Sequence, residues 1–165
     1  MSGNKIILGI GNQLGGDDAV GAFVARRINK KLRKNAPTSP PTASDQPDMI
    51  SIDAGTAPEN YTSVIRKHRP ALLILVDAAD MGLPAGSIRI IPPDKIQTVS
   101  FSTHHMPLST FFTYVREFCG QAYLIGIQPK FTEIGKRLSS NLRKSGQHVA
   151  DLIFEGRWNE IQILE

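Results

Sequence analysis

Residues 71–77 read Ala-Leu-Leu-Ile-Leu-Val-Asp, the most hydrophobic stretch of this 165-residue chain. A continuous apolar run of this length is typical of a strand in the middle of a parallel sheet, because helices cover both faces of such a strand. The run ends at a charged residue, Asp77. We therefore expect a central strand whose carboxyl end presents an acidic side chain.

Shorter segments on both sides of this run predict the rest of a sheet. Four of them are rich in isoleucine, namely 5–11, 49–53, 87–91 and 122–127. Helical patterns alternate with them: from about Ala19, after Pro58, over 108–119, and from Ile134 to Ile153 with Gly146 as a candidate break. This alternation predicts an α/β protein, a three-layer sandwich with a mostly parallel twisted sheet of about five strands.

Length and composition predict a single domain over residues 1–165. The chain has 41% hydrophobic and 21% charged residues, which is typical of a globular protein. Residues 35–48 (NAPTSPPTASDQPD) are rich in proline, serine and threonine and lack apolar periodicity. Such a segment indicates a flexible surface loop within the domain.

Charge, cysteine content and hydropathy exclude several classes of function. The net charge is +4, and the basic stretch 26–34 surrounds an apolar helical stripe without interleaved aromatic residues, so nucleic acid is not an expected partner. This stretch is either a solvated helix face or a docking patch. Cys119, the one cysteine, is expected to be a structural thiol. No apolar segment is long enough for a signal peptide or a membrane span, so we expect a cytoplasmic protein without membrane insertion.

The first predicted strand runs into a glycine-rich loop with two adjacent acids. Residues 9–18 (GIGNQLGGDD), here the first loop, do not match a dinucleotide-binding loop, because Leu14 replaces the third glycine of that motif. The acids also stand at a helix start, where a pyrophosphate needs bare backbone donors. One of Asp17 and Asp18 is expected to cap the helix, which leaves the other for a metal or for catalysis.

A metal site is expected at one edge of the sheet. In parallel sheets ligands bind outside the carboxyl ends of the strands, where the first loop and Asp77 are predicted to lie. Residues 102–108 (STHHMPL) add His104 and His105 before a predicted helix. Carboxylates with an imidazole suit nickel, zinc or iron, and three protein ligands leave coordination positions open. Asp80 is a weaker candidate.

Five segments, in this order, resemble the maturation endopeptidases of [NiFe] hydrogenases, above all the branch that serves hydrogenase 3 of formate hydrogenlyase. They are 9–21 (GIGNQLGGDDAVG), 53–60 (DAGTAPEN), 75–91 (LVDAADMGLPAGSIRII), 103–108 (THHMPL) and 126–129 (GIQP). The resemblance implies an endopeptidase that removes the carboxyl-terminal extension of a nickel-loaded large-subunit precursor. That precursor is then the expected partner and the source of the nickel, and no organic cofactor is expected.

The resemblance also implies roles for single residues. The family holds nickel with the second acid of the first loop, the aspartate at the end of the third strand and the first histidine of its T-H-x-M-P-L motif; here these are Asp18, Asp77 and His104.

Catalytic and substrate-binding roles are less defined. Asp17 or Asp18 is a candidate general base, and Gly55 and Thr56 are candidate substrate contacts. Two alternatives stay open from the sequence: a non-proteolytic, nickel-dependent chaperone or scaffold for the large subunit, and a hydrolase with its own zinc.

Overall fold

A computed structural model of the chain describes residues 3–40, 42, 47–101 and 106–165. These residues form one sheet with the strands β1 Lys5–Ile10, β2 Met49–Gly55, β3 Leu72–Asp80, β4 Ile88–Ile90, β5 Ser100–Phe101 and β6 Gln121–Ile127. The α-helices are α1 Val20–Lys34, α2 Thr62–His68, α3 Leu108–Val115 and α4 Ser140–Phe154. The predicted α/β class is confirmed.

The sheet is mostly parallel, and β3 lies at its centre. The strand order is β2-β1-β3-β6-β4, in which β1, β2, β3 and β6 run parallel. β4 is antiparallel to β6, and the short β5 is antiparallel to the end of β3. The sequence does not predict β5, because two residues are too few to show an alternation.

Two helical layers cover the sheet and complete the predicted three-layer sandwich. Successive side chains of β3 lie on opposite faces, as strand geometry requires. Ile74 and Val76 pack into the core that α1 and α4 cover. Leu73 and Leu75 pack into the core that α2 and α3 cover. The central position of β3 is therefore the reason for its unbroken apolar run.

The last helix differs from its prediction in two respects. It begins at Ser140 instead of near Ile134, because the Ser139 hydroxyl accepts a hydrogen bond from the Leu142 N–H and caps the helix there. Ile134 lies in the preceding loop. Gly146 does not break α4; a Cβ at this position would lie 2.8 Å from the ring of Phe23 on α1, so the glycine lets the two helices pack closely.

The predicted flexible loop over 35–48 falls partly outside the described residues. Its described part contains neither helix nor strand and is exposed, while its flexibility stays a prediction. Within the part of the chain that the structure describes, no helix is long and apolar enough to cross a bilayer.

Candidate active site

The first loop brings Asp17 and Asp18 to the carboxyl edge of the sheet. A 3-10 turn, Gly16–Ala19, leads directly into α1. The loop folds tightly over the end of β1, since a Cβ at Gly11 would lie 2.0 Å from the carbonyl oxygen of Asp18, and Gly16 has a φ of +62°. Both aspartates are buried as a result, with Asp17 0% and Asp18 6% exposed.

Asp17 fastens a distant loop, residues 130–139, to the first loop. Its carboxylate accepts hydrogen bonds from the backbone N–H groups of Lys130 (2.8 Å), Phe131 (3.0 Å) and Ser139 (2.7 Å) and from the Ser139 hydroxyl (3.0 Å). We call Asp17 with these partners the clamp. The prediction that one of the two acids caps the helix is wrong, because no side chain of the described residues caps the 3-10 turn or α1 that follows it.

Asp18 has different surroundings. Its Oδ1 atom is buried and accepts no hydrogen bond from any described residue. The side chain borders a cavity of about 310 Å³, here called the cleft, at the carboxyl edge of the sheet. The cleft is lined by Asp18, Ala78, Asp80, Ser100, Phe101, Gln128, Pro129, Lys130 and Thr132. A buried carboxylate oxygen without a donor is costly, and a cation in the cleft would lower that cost.

Asp77 lies beneath the same edge and not at the tip of its strand. It is fully buried and pairs in register with Gly126 of β6. β3 continues to Asp80 because β5 pairs with its end, Ala79 opposite Phe101. The expectation that Asp77 ends the strand is therefore corrected by three residues.

His104 and His105 lie outside the described residues. The described chain on their amino side ends at Phe101, next to the carboxyl end of β3. Among the described residues, no three histidine, cysteine, aspartate or glutamate side chains are grouped so that they could hold a metal ion. The ligand set Asp18, Asp77 and His104 stays a prediction, and the structure describes only its two acids.

Gln128 organises one side of the cleft. Its Oε1 accepts hydrogen bonds from two backbone N–H groups of the loop after β3, at 2.7 and 3.3 Å, and its Nε2 donates to Asp80 Oδ1 at 3.1 Å. This side-chain bond and one from the Gly82 N–H hold the pKa of Asp80 below its ordinary value. Asp80 is thus hydrogen-bonded both to Gln128 and within its own loop. Sequence reasoning missed Gln128, although a polar residue directly after an apolar strand was the signal that identified Asp77.

Gly55 and Thr56 lie at the neighbouring end of β2. Gly55 has a φ of +59°, and its carbonyl accepts a hydrogen bond from the Gly11 N–H at 2.8 Å. Asp53, just before this turn, forms an ion pair with Arg26 at 3.1 Å. Neither Gly55 nor Thr56 is among the described residues that line the cleft. Their contact with substrate stays a prediction.

Cys119 lies at the other edge of the sheet, just before the amino end of β6. Its thiol donates a hydrogen bond to the Val115 carbonyl at 3.3 Å. Burial raises the pKa of Cys119 to about 11. A thiol that stays neutral at pH 7 is a poor nucleophile, which fits the structural role expected for this residue.

Known proteins are similar to this chain in sequence and fold. The family model HycI, hydrogenase maturation protease, matches residues 28–155. The hydrogenase 3 maturation protease of Escherichia coli (strain K12) is 38% identical over 125 residues, which cover 75% of this chain and 72% of that protein. The chain belongs to the hydrogenase maturation protease family.

Solved structures support this family assignment. A crystal structure of the hydrogenase 3 maturation protease has a TM-score of 0.79 and 31% identity, and the match covers 98% of this chain and 97% of that one. The [NiFe] hydrogenase maturation protease HycI from Thermococcus kodakarensis KOD1 has a TM-score of 0.75 and 32% identity, covering 93% and 92%. The predicted family, fold class and protease activity are confirmed.

Proposed function

We propose that this maturation protease removes the carboxyl-terminal extension of a nickel-loaded [NiFe]-hydrogenase large-subunit precursor. Family membership supports processing of a hydrogenase large subunit in general. The observation that carries the finer proposal is the carboxylate of Asp18, which is buried beside the cleft and has an oxygen that accepts no hydrogen bond from a described residue.

The donor set fits nickel as part of the substrate. Asp18 and Asp77 offer carboxylate oxygens and His104 an imidazole nitrogen, a mixture that suits nickel as well as other divalent transition metals. Three protein ligands leave coordination positions for groups of the precursor. A loaded precursor would then gain free energy by completing the shell, whereas an empty precursor would not. The metal would act as a checkpoint before cleavage.

The contacts of the two first-loop acids support different roles. Asp17 accepts four hydrogen bonds, so protonation of its carboxylate during catalysis would disrupt the contacts of the 130–139 loop. Asp18 faces the cleft and keeps an oxygen without a donor among the described residues. Asp18 is therefore the better candidate for a metal ligand or a base, and Asp17 for a structural residue.

The test follows the mass of the large subunit. Purified protein is mixed with precursor made with and without nickel, and the Asp18→Asn variant serves as the matched control. We expect the extension to be lost only from loaded precursor and only with the wild type. Equal cleavage of both precursor forms would contradict the checkpoint and leave a protease. Binding of loaded precursor without any mass loss would favour the chaperone, which the family assignment disfavours.

A further inference from the structure

Exposed apolar side chains lie on the two loops next to the cleft. Among the described residues, five large hydrophobic side chains are exposed, and three of these lie on the first loop and the 130–139 loop. They are Leu14 (69% exposed), Phe131 (44%) and Ile134 (82%). Single exposed apolar residues are ordinary on protein surfaces, but a group of them marks an interaction site. We call these three residues the apolar patch.

Backbone hydrogen bonds hold the two loops side by side. The Gly135 N–H donates to the Leu14 carbonyl at 2.8 Å, and the Asp17 N–H donates to the Phe131 carbonyl at 2.6 Å. A Cβ at Gly16 would lie 2.6 Å from the Phe131 carbonyl oxygen, so the loops approach as closely as a glycine permits. The clamp fastens the same loop at both ends. The two loops that carry the apolar patch are therefore held together by the fold.

The patch adjoins the cleft and has a basic rim. Lys130 and Thr132, which flank Phe131 in sequence, both line the cleft. Over residues 130–137 the charged side chains are Lys130, Glu133, Lys136 and Arg137, three cations against one acid, and all four residues are exposed. A partner that fits this surface presents apolar side chains with acidic neighbours.

We propose that the apolar patch and its basic rim form the docking surface for the large-subunit precursor, and bind an apolar segment with acidic neighbours next to the cleavage site. The identity of this partner rests on the proposed function. Continuity with the cleft favours the precursor over a second copy of this chain, because a segment seated on the patch also reaches the cleft that Asp18 borders.

The test separates docking from cleavage. Processing of nickel-loaded precursor is measured for the wild type, for a double variant with Leu14→Ser and Ile134→Ser, and for Ile163→Ser. Ile163 is a matched control, 59% exposed and next to Ile90 of β4. For the double variant we expect KM to rise about tenfold and kcat to stay within about twofold, because neither side chain lines the cleft. The control should match the wild type.

Direct binding of the precursor and the melting temperature are measured in parallel. All replaced side chains are exposed, so we expect each Tm to stay within about 2 °C of the wild type. Added salt should weaken binding by the wild type, because the rim is charged.

Several results would overturn the docking surface. These are an unchanged KM in the double variant, an equal rise in Ile163→Ser, or a wild-type dimer that the double variant cannot form. If the wild type binds the precursor without cutting it and the double variant does not bind, the docking surface stands and the proposed protease function fails. If the wild type does not bind the precursor at all, the docking surface fails too.

Discussion

The clamp and the cleft contain consecutive aspartates, Asp17 and Asp18, whose carboxylates have opposite surroundings. Asp17 accepts four hydrogen bonds from the 130–139 loop. Asp18, which is also buried, has an oxygen that accepts none from the described residues. A buried carboxylate surrounded by donors stabilises the fold, whereas one that lacks donors is available to a ligand.

Local geometry explains how neighbours acquire such different surroundings. Both acids lie in the 3-10 turn Gly16–Ala19. With about three residues per turn, successive side chains point roughly 120° apart around the axis. One acid can therefore face the 130–139 loop while the next faces the cleft. The comparison yields four predictions, from the largest expected effect to the smallest.

Removing the Asp18 carboxylate should have the largest effect. Asp18→Asn should lower processing about 100-fold or more, while the free energy of unfolding stays equal or rises because a buried charge is removed. Asp77→Asn and His104→Ala should lose activity similarly, whereas Asp80→Ala and His105→Ala should keep most of it. The measurement is the rate of mass loss from nickel-loaded precursor, with denaturation curves for each variant.

Two outcomes would contradict this assignment. An inactive His105→Ala with an active His104→Ala would show that the register of the histidine segment is wrong. A large loss of stability in Asp18→Asn would show that Asp18 is a structural residue like Asp17.

Breaking the clamp should affect stability first. Asp17→Ala leaves the N–H groups of Lys130, Phe131 and Ser139 without their charged acceptor, which should lower the free energy of unfolding by about 2–4 kcal/mol. Urea denaturation should show a lower midpoint with an unchanged slope. Ser139→Ala is a milder companion variant, since it removes only the hydroxyl donor. Equal stability of Asp17→Ala and the wild type would contradict the clamp.

Most of the fold could be predicted because it depends on local apolar patterning. The run 71–77 and the isoleucine-rich segments mark β1, β2, β3, β4 and β6. Predictions were wrong where a tertiary contact decides the outcome. Pairing with β5 extends β3 beyond Asp77, and the ring of Phe23 on α1 explains Gly146 better than a helix break does.

The candidate site could be predicted only in part, for the same reason. The edge of the sheet is deducible from the rule for parallel strands, but that rule does not distinguish the roles of Asp17 and Asp18. The partners of Asp17 are 113 to 122 residues away in sequence. Likewise, Asp80 is engaged by Gln128, 48 residues away. No local pattern carries such information.

Nickel binding should distinguish the two acids by its effect on the stability of their variants. Since a ligand that binds only the folded state stabilises it, nickel at 100 times its Kd should add about 2.7 kcal/mol to the wild type. Asp17→Asn should keep a rise in melting temperature, although from a lower starting value, whereas Asp18→Asn and Asp77→Asn should show none. The same rise in the wild type and in Asp77→Asn would argue against the site. Stoichiometric zinc in the purified protein would favour a hydrolase with its own metal.

The smallest effect is expected at the opposite edge of the sheet, where Cys119 lies. Cys119→Ala should leave processing unchanged, and thiol alkylation at pH 7 should not inhibit the wild type, because the thiol stays neutral.

Burial raises the pKa of Cys119 from 9.0 to about 11, so the folded state holds this proton more tightly than the unfolded state does. The associated stability is present below pH 9.0 and is lost as the pH rises towards 11. Unfolding midpoints between pH 8 and 11 should therefore fall more in the wild type than in Cys119→Ala. Loss of processing in Cys119→Ala, together with inhibition by alkylation, would instead identify Cys119 as a nucleophile and move the catalytic site away from the cleft.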